Sequence, residues 1–204
     1  MLFARAIVLG FTVAAAVGPI SLLTIRRTLA HGRLYGLASG FGVALADGTY
    51  AAIAAFGLSA ITAVLVGART FLALAGGVVI AYLGLRTLRS RPGEVATDAA
   101  RPGLAAATAS IYGLTMTNPM TILSFAAIFG ALGLARHGIG EAALFSLGVF
   151  LGSGLWWLLL VSIVGWLQPR VTLTALTWLN RLSGLALVIF GAAAIVVAWL
   201  PASA

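Results

Sequence analysis

The sequence predicts an all-α integral membrane protein. The prediction comprises six transmembrane helices in two inverted three-helix repeats, with the first and fourth helices broken near their middle. Three observations predict this fold class. Hydrophobic residues make up 62% of the 204-residue chain and charged residues only 8%, whereas a soluble domain carries about 25% charged residues. Six windows of low charge follow one another along the chain, and landmarks of the first half recur in the second. Because so little charge cannot cover a water-facing surface, lipid is the expected solvent.

Charge and cysteine content exclude several classes of protein. All 12 basic residues are arginine, against 4 acidic residues, which gives a net charge of +8. Nucleic acid is not the expected partner, because the arginines fall between the apolar windows, where cytoplasmic loops and anionic headgroups place them. The absence of cysteine excludes disulfides, thiol catalysis and thiolate metal sites. His31 and His137 have no ligand-like spacing, so neither a metal nor a cofactor is expected.

The six windows have the length that a bilayer requires, which is about 20 largely apolar residues per helix. The first window is longer than the roughly 7–15 residues of a signal-peptide core, so it is interpreted as an uncleaved span. The second and fourth windows exceed 30 residues, and each is expected to hold a span plus a partly buried extension. Asp47 is the one charged residue inside the windows, which are residues 6–25, 34–68, 70–85, 102–135, 142–169 and 182–204.

The arginines predict the orientation in the membrane. The side of the N-terminus and of the second and fourth connections carries three of them, Arg5, Arg69 and Arg136. The first, third and fifth connections carry nine: Arg26, Arg27, Arg33, Arg86, Arg89, Arg91, Arg101, Arg170 and Arg181. The positive-inside rule therefore places both termini outside the cytoplasm. On this interpretation the Arg26–Arg27 pair marks the cytoplasmic end of the first span.

Weak internal similarity divides the chain into two repeats. The predicted units are residues 1–90, a polar linker at 91–103, and residues 104–204. Landmarks keep their order in both units: Pro19 and Pro119, Gly42 and Gly148, then Gly77 with Gly84 and Gly184 with Gly191. Three spans per unit is an odd number, so the second unit must be inserted upside down. Inverted repeats of this kind are typical of secondary transporters, whose substrate site lies at the repeat interface near the midplane.

Two prolines at equivalent positions predict breaks in the first and fourth helices. Proline disrupts a helix interior but suits the first turn of a new helix, and Asn118 is a favoured N-cap. The positive end of a half-helix binds anions, so two such ends favour a carboxylate. The simpler alternative is a pair of kinks that neighbouring helices tolerate. With the buried acid, the predicted substrate-binding residues are Gly18, Pro19, Ile20, Ser21, Asp47, Asn118, Pro119, Met120 and Thr121.

Asp47 lies near the centre of the second window, where an unpaired carboxylate in the bilayer costs several kcal/mol of free energy, on the order of 3 or more. Three roles remain open from the sequence: binding a substrate ammonium group, carrying a coupled proton, or pairing with an arginine. Arg69, Arg86 and Arg181 are the candidate arginines, and Ser153 is the counterpart of Asp47 in the second repeat. A zwitterion suits this layout, because its carboxylate would meet the half-helix ends and its ammonium group would meet Asp47.

Several stretches resemble the LysE/RhtB family of amino-acid exporters. They are Gly18-Pro19, GLASGFGVALAD at 36–47, GVVIAYLGLRTLR at 77–89, NPMTIL at 118–123 and LNRLSGLALVIFG at 179–191. Two positions depart from the family pattern: Val17 replaces the first proline of a Pro-Gly-Pro, and Met120 replaces a basic residue after Asn-Pro. Both departures bear on substrate identity.

This resemblance implies six hydrophobic segments in the bacterial cytoplasmic membrane and export of amino acids or close derivatives, with the proton gradient as driving force. The implied partners are a small-molecule substrate, protons and the lipid bilayer; a homodimer is an open alternative. A small-ion or metal exporter is the main rival, weakened by a single buried acid and no cysteine. A membrane enzyme is not expected, because neither histidine lies within a span to act as base for Ser153. A scaffold without transport activity also remains open.

Overall fold

The computed structural model describes residues 2–15, 18–56, 67–89, 103–118, 121–122, 124–125 and 138–199. All regular secondary structure among these residues is helical, and no strand occurs among them. A short 3₁₀ turn at Gln168–Arg170 separates the last two helices. The helices are α1 (Leu2–Ala14), α2 (Pro19–His31), α3 (Arg33–Ala55), α4 (Arg69–Arg89), α5 (Leu104–Met116), α6 (Ile139–Leu167) and α7 (Leu173–Trp199).

Four helices are long and apolar enough to cross a membrane, namely α3, α4, α6 with the turn that follows it, and α7. The pair α1 and α2 passes the same test together and is bent by 79°, which gives five spans if the pair is one broken span. At 13 residues, α5 is shorter than a span. It covers the start of the fourth predicted window, and most of the rest of that window lies outside the described residues. The chain is therefore an all-helical membrane-type protein, and the division into six spans stays a prediction.

Several helices extend beyond the predicted apolar windows and include arginines near their ends. The clearest case is α2, which runs on to His31. Arg26 and Arg27 therefore lie within the helix, about one turn before its end, and their role as the cytoplasmic end of the first span stays a prediction. Both guanidinium groups are half-buried and bonded to other helices, which is why they can lie inside a helix and not in a loop. The polar linker at 91–103 falls almost entirely outside the described residues.

A single residue, Gly32, connects α2 to α3. Its φ of +91° is a left-handed conformation that favours glycine. The N–H of Gly32 donates to the carbonyl of Thr28 at 2.9 Å, and the carbonyl of Gly32 accepts from the N–H of Gly36 at 3.2 Å. The same glycine thus closes the last turn of α2 and the first turn of α3, and the two helices form a tight hairpin.

Close contacts at glycine hold the bundle together. Helix α6 packs against both α1 and α3. A Cβ at Gly10 of α1 would overlap the carbonyl of Val149, and a Cβ at Gly152 of α6 would overlap the carbonyl of Ile7. At Gly148 an added Cβ would lie 2.6 Å from the Cβ of Ala6. In membranes, where lipid is as apolar as leucine, such close backbone packing is a main source of helix association.

The second tight pair is α4 with α7. An added Cβ at Gly77 would lie 2.9 Å from the carbonyl oxygen of Gly191, and one at Gly84 would lie 2.8 Å from that of Gly184. Because Gly77 meets Gly191 and Gly84 meets Gly184, the two helices run antiparallel. Both helices leave large apolar side chains such as Phe71 and Leu182 exposed on their outer faces, as a lipid-facing surface requires.

Helix α2 lies inside the bundle and contacts α3, α5, α6 and α7. Its buried residues include three hydroxyl side chains, Ser21, Thr24 and Thr28. This helix is therefore the polar element that the outer, more apolar helices surround.

We expect Gly84→Ala to lower the free energy of unfolding by about 1–3 kcal/mol, because the new methyl group has no room against α7. Gly113→Ala is the matched control, since no heavy atom lies within 4 Å of a Cβ added there. It should be neutral or stabilising by up to about 1 kcal/mol. Unfolding of the purified protein in detergent micelles measures both values. Equal stability of the two variants would contradict the close α4–α7 contact.

Candidate functional site

A new helix begins at Pro19, as the sequence predicts. Gly18 precedes it in an extended conformation with φ −144° and ψ −171°. The carbonyl of Gly18 accepts from the N–H of Leu22 at 3.1 Å, which closes the first turn. Proline has no N–H, and the amides in the first turn of a helix point out from its N-terminal end. Pro19, Ile20 and Ser21 are all buried, so this helix N-terminus lies within protein.

The predicted second break follows α5. That helix ends at Met116, and the N–H of Asn118 donates to the carbonyl of Thr115 at 3.2 Å. The carbonyl of Asn118 then accepts from the N–H of Ile122 at 3.1 Å, which begins a further helical turn that includes Thr121. Asn118 is buried. Pro119 and Met120 lie outside the described residues, so the predicted roles of these two residues stay predictions.

Asp47 is bonded to Ser153 across the interface between α3 and α6. The hydroxyl of Ser153 donates to Oδ2 of Asp47 at 2.6 Å, and the exposed fractions of the two side chains are 3% and 0%. A hydrogen bond to a charged group is among the stronger ones in proteins. In the part of the chain that the structure describes, the partner of this carboxylate is a serine hydroxyl and not an arginine.

Of the three candidate arginines, Arg181 lies over the ring of Trp178, with the guanidinium carbon 5.7 Å from the ring centroid. The side chain of Arg69 lies outside the description. Ser153 was identified in the sequence only as the counterpart of Asp47 in the second repeat. No signal in the sequence showed that these two side chains are in contact.

Sequence analysis missed Tyr50, a residue that links the helix carrying Asp47 to the second break. It follows Asp47 by three residues on α3, so both lie on the same side of the helix. Its hydroxyl donates to the carbonyl of Met116 at 2.7 Å, and its ring stacks on Phe125 at 5.3 Å between centroids. One face of α3 therefore holds the buried acid and also fixes the end of α5, where Asn118 follows.

Arg26 and Arg27 anchor α2 on opposite sides. Arg26 donates to Oγ1 of Thr87 on α4 at 2.6 Å and to Oδ1 of Asn180 on α7 at 3.2 Å. These bonds fix the position of α2 against the α4–α7 pair.

The second guanidinium group reaches the other side of the bundle. Arg27 donates to Oγ of Ser39 on α3 at 3.3 Å. It also donates to the carbonyl of Ala107 at 3.2 Å and to Oγ of Ser110 at 3.0 Å, both on α5. Polar bonds thus hold the C-terminal half of α2 to two different helix pairs.

The predicted site residues form two groups in the described part of the chain. Gly18, Pro19, Ile20 and Ser21 begin α2, which packs against α3 and α6, the two helices that carry Asp47 and Ser153. Asn118 and Thr121 follow α5, which α3 contacts through Tyr50. Helix α3 therefore adjoins both groups. No group of three or more histidine or acidic side chains that could hold a metal occurs among the described residues.

Comparisons with known proteins agree on one family. Residues 11–197 match the family described as LysE type translocator. A Bacillus subtilis (strain 168) protein named "Putative amino acid efflux protein YcgF" is 29% identical over 197 residues, covering 93% of this chain and 93% of its own length. No solved structure matches this chain.

Ser153→Ala should lower the free energy of unfolding by about 1–3 kcal/mol, because it leaves a buried carboxylate oxygen without its donor. Ser146→Ala is the control on the same helix, since that hydroxyl donates to the carbonyl of Ala142 one turn earlier. In an Asp47→Asn background the effect of Ser153→Ala should change, because the two groups are directly coupled. Thermal unfolding in detergent gives the four values of this cycle, and strictly additive effects would disprove the coupling.

Proposed function

This chain belongs to the LysE type translocator family, and on that premise we propose that it exports amino acids or close derivatives from the bacterial cytoplasm. It is a transporter and not an enzyme. Its expected place is the cytoplasmic membrane, which it crosses several times. The relative from Bacillus subtilis carries amino acid efflux in its name and matches nearly the whole chain, which supports this class of substrate.

The observation that carries the proposal is the buried Asp47–Ser153 pair on the two helices against which the broken first span packs. An amino acid carries a cation and an anion only a few ångströms apart. Asp47 offers a negative charge for the ammonium group. The N-terminus of α2, with the amides of Ile20 and Ser21, offers partial positive charge for the carboxylate. The site therefore provides both signs of charge that a zwitterion needs.

We propose further that the two halves form inverted repeats about a dyad that passes between Asp47 and Ser153. The sequence pairs Gly77 with Gly184 and Gly84 with Gly191. If each glycine is replaced by its counterpart, the contact between Gly77 and Gly191 becomes a contact between Gly184 and Gly84. Both contacts occur in the structure. An interface that reproduces itself under the exchange supports a two-fold relation between α4 and α7.

The helices beside the site support the same relation. Asp47 and Ser153 are counterparts and contact each other, as two residues on an axis would. A second pair of contacts lies one residue further along each helix. A Cβ added at Gly48 would lie 3.0 Å from Cβ of Phe150. The counterparts of these residues are Gly154 and Ala44, and a Cβ added at Gly154 would lie 4.0 Å from Cβ of Ala44. These exchanged contacts support a site on the dyad, which is where inverted-repeat transporters bind their substrates.

A second exchange involves the outer helices. Gly42 of α3 meets the backbone of α5 at Thr108, and its counterpart Gly148 of α6 meets α1 at Ala6 and Phe3. On this arrangement α1 with α2 and the region around α5 are the two interrupted spans, and their breaks face the same pocket. Rocking of one half against the other would open that pocket alternately to each side, with protons as the proposed coupling ion and Asp47 as their carrier.

We expect Asp47→Asn to lower the rate of amino acid export by about tenfold or more, which corresponds to about 1.4 kcal/mol in the barrier. The amide keeps the shape of the side chain but removes the charge that binds an ammonium group or carries a proton. Efflux of a panel of radiolabelled amino acids from overexpressing cells measures the change. Glu141→Gln is the control, because this exposed acid lies in the first turn of α6. Export at the wild-type rate by the Asp47→Asn variant would contradict the assigned role.

The arginine distribution predicts that both termini lie outside the cytoplasm. A C-terminal fusion to a reporter that is active only outside the cytoplasm should therefore be active. The same reporter inserted after Arg91, in the predicted polar linker, should be inactive, because that connection belongs to the arginine-rich side. The opposite pattern would reverse the orientation without affecting the family assignment.

A further inference from the structure

Two buried polar groups, one on each of two helices that pack against α3, have no hydrogen-bond partner among the described residues. They are the hydroxyl of Thr24 on α2 and the indole N–H of Trp157 on α6. The exposed fractions of the side chains are 0% and 3%. A buried polar group without a partner costs about 1–3 kcal/mol, and in a membrane no water in the hydrocarbon core can replace the missing partner. Such groups need an explanation, and recognition of a bound ligand is one.

Thr24 differs from other buried threonines of the bundle. Thr28, Thr87 and Thr115 each donate their hydroxyl to the carbonyl four residues earlier, at 2.8, 2.7 and 2.9 Å. The same bond is open to Thr24, whose acceptor would be the carbonyl of Ile20, yet its hydroxyl takes no partner. A threonine that forgoes this local bond keeps its hydroxyl available for another molecule.

The contacts between helices place Thr24 and Trp157 at one level of the bundle. A Cβ at Gly36 of α3 would touch both Thr28 of α2 and Val161 of α6. Because α3 runs antiparallel to α2 and α6, one helical turn towards the break reaches Thr24, Gly40 and Trp157. A Cβ at Gly40 would indeed lie 2.6 Å from Cβ of Trp157.

On α6 this level lies one helical turn from Ser153, the hydrogen-bond partner of Asp47. Trp157 follows Ser153 by four residues on α6, and such residues share one face of a helix. Helical side chains lean towards the N-terminus, so the ring of Trp157 leans towards Ser153 and its partner Asp47. On α2, Thr24 lies four residues after Ile20, one turn from the helix N-terminus at Pro19.

We propose that Thr24 and Trp157 form a hydrogen-bonding subsite for the carboxylate of the transported amino acid, while Asp47 binds its ammonium group. The indole N–H only donates and the hydroxyl can donate, so the ligand group must accept hydrogen bonds. One helical turn is about 5.4 Å, which matches the separation that a small zwitterion bridges between a cation-binding and an anion-binding group. This inference rests on the proposed function and adds the residues that recognise the carboxylate.

The test uses the full-length protein in liposomes and measures counterflow of radiolabelled amino acids. For the amino acid that wild type moves fastest, its decarboxylated amine and its deaminated acid serve as competitors. Thr24→Val keeps the shape of the side chain and removes the hydroxyl. Trp157→Phe keeps an aromatic ring and removes the N–H. Thr115→Val is the matched control, because that hydroxyl is bonded within its own helix.

We expect Thr24→Val and Trp157→Phe each to raise KM by about tenfold, the equivalent of about 1.4 kcal/mol. In both variants the amine should compete almost as well as the amino acid, because the carboxylate is no longer recognised. Asp47→Asn should instead reduce discrimination against the deaminated acid. Thr115→Val should keep the wild-type KM and the wild-type preference.

Unchanged discrimination against the amine in Thr24→Val would overturn the subsite, and this isosteric variant decides the matter even if Trp157→Phe folds poorly. A fall in rate without any change in discrimination would show a packing role and overturn it equally. In both cases wild-type counterflow of an amino acid would leave the proposed function standing. A wild-type protein that moves no amino acid of the panel would overturn the proposed function itself.

Discussion

The main physical constraint on this molecule is the need to satisfy backbone amides inside a membrane. A helix that starts at Pro19 exposes its first amides, and lipid offers them no acceptor. Such a break survives only under a cover of protein, which explains why α2 lies inside the bundle with Pro19, Ile20 and Ser21 buried. The same requirement brings polar groups to the centre, and the bonded pair of Asp47 and Ser153 lies on the two helices that cover α2. An interior built around an interrupted helix is thus polar by necessity.

Glycine determines how close the covering helices come. The contacts of α1 with α6 and of α4 with α7 both pass through glycines whose replacement would bring a Cβ against backbone atoms. In lipid, association of helices depends on this close packing rather than on burial of apolar surface. The high glycine content, 25 residues of 204, therefore has a structural function. Helix α2 is held differently, since Arg26 and Arg27 bond to hydroxyl, amide and carbonyl groups on four neighbouring helices.

Composition and apolar windows were sufficient to predict an all-helical membrane protein, and Gly18-Pro19 was sufficient to predict where α2 begins. Both features depend on local chemistry that a sequence displays directly. The positions of Arg26 and Arg27 could not be predicted in the same way, because the acceptors that bury them come from Thr87, Ser110 and Asn180, far away in the chain. The partner of Asp47 was also out of reach. Charge complementarity offered an arginine as one of three possibilities, whereas packing of α3 against α6 brings a serine to the carboxylate. The unbonded state of Thr24 depends on a rotamer, which no sequence pattern specifies.

The single-residue turn at Gly32 has a mechanical consequence. With hydrogen bonds closing both helix ends across it and a left-handed φ of +91° at the glycine, this connection has no slack. Helices α2 and α3 are therefore joined without an intervening loop. Since Asp47 lies on α3, a shift of α2 also shifts the acid unless the backbone at Gly32 changes conformation.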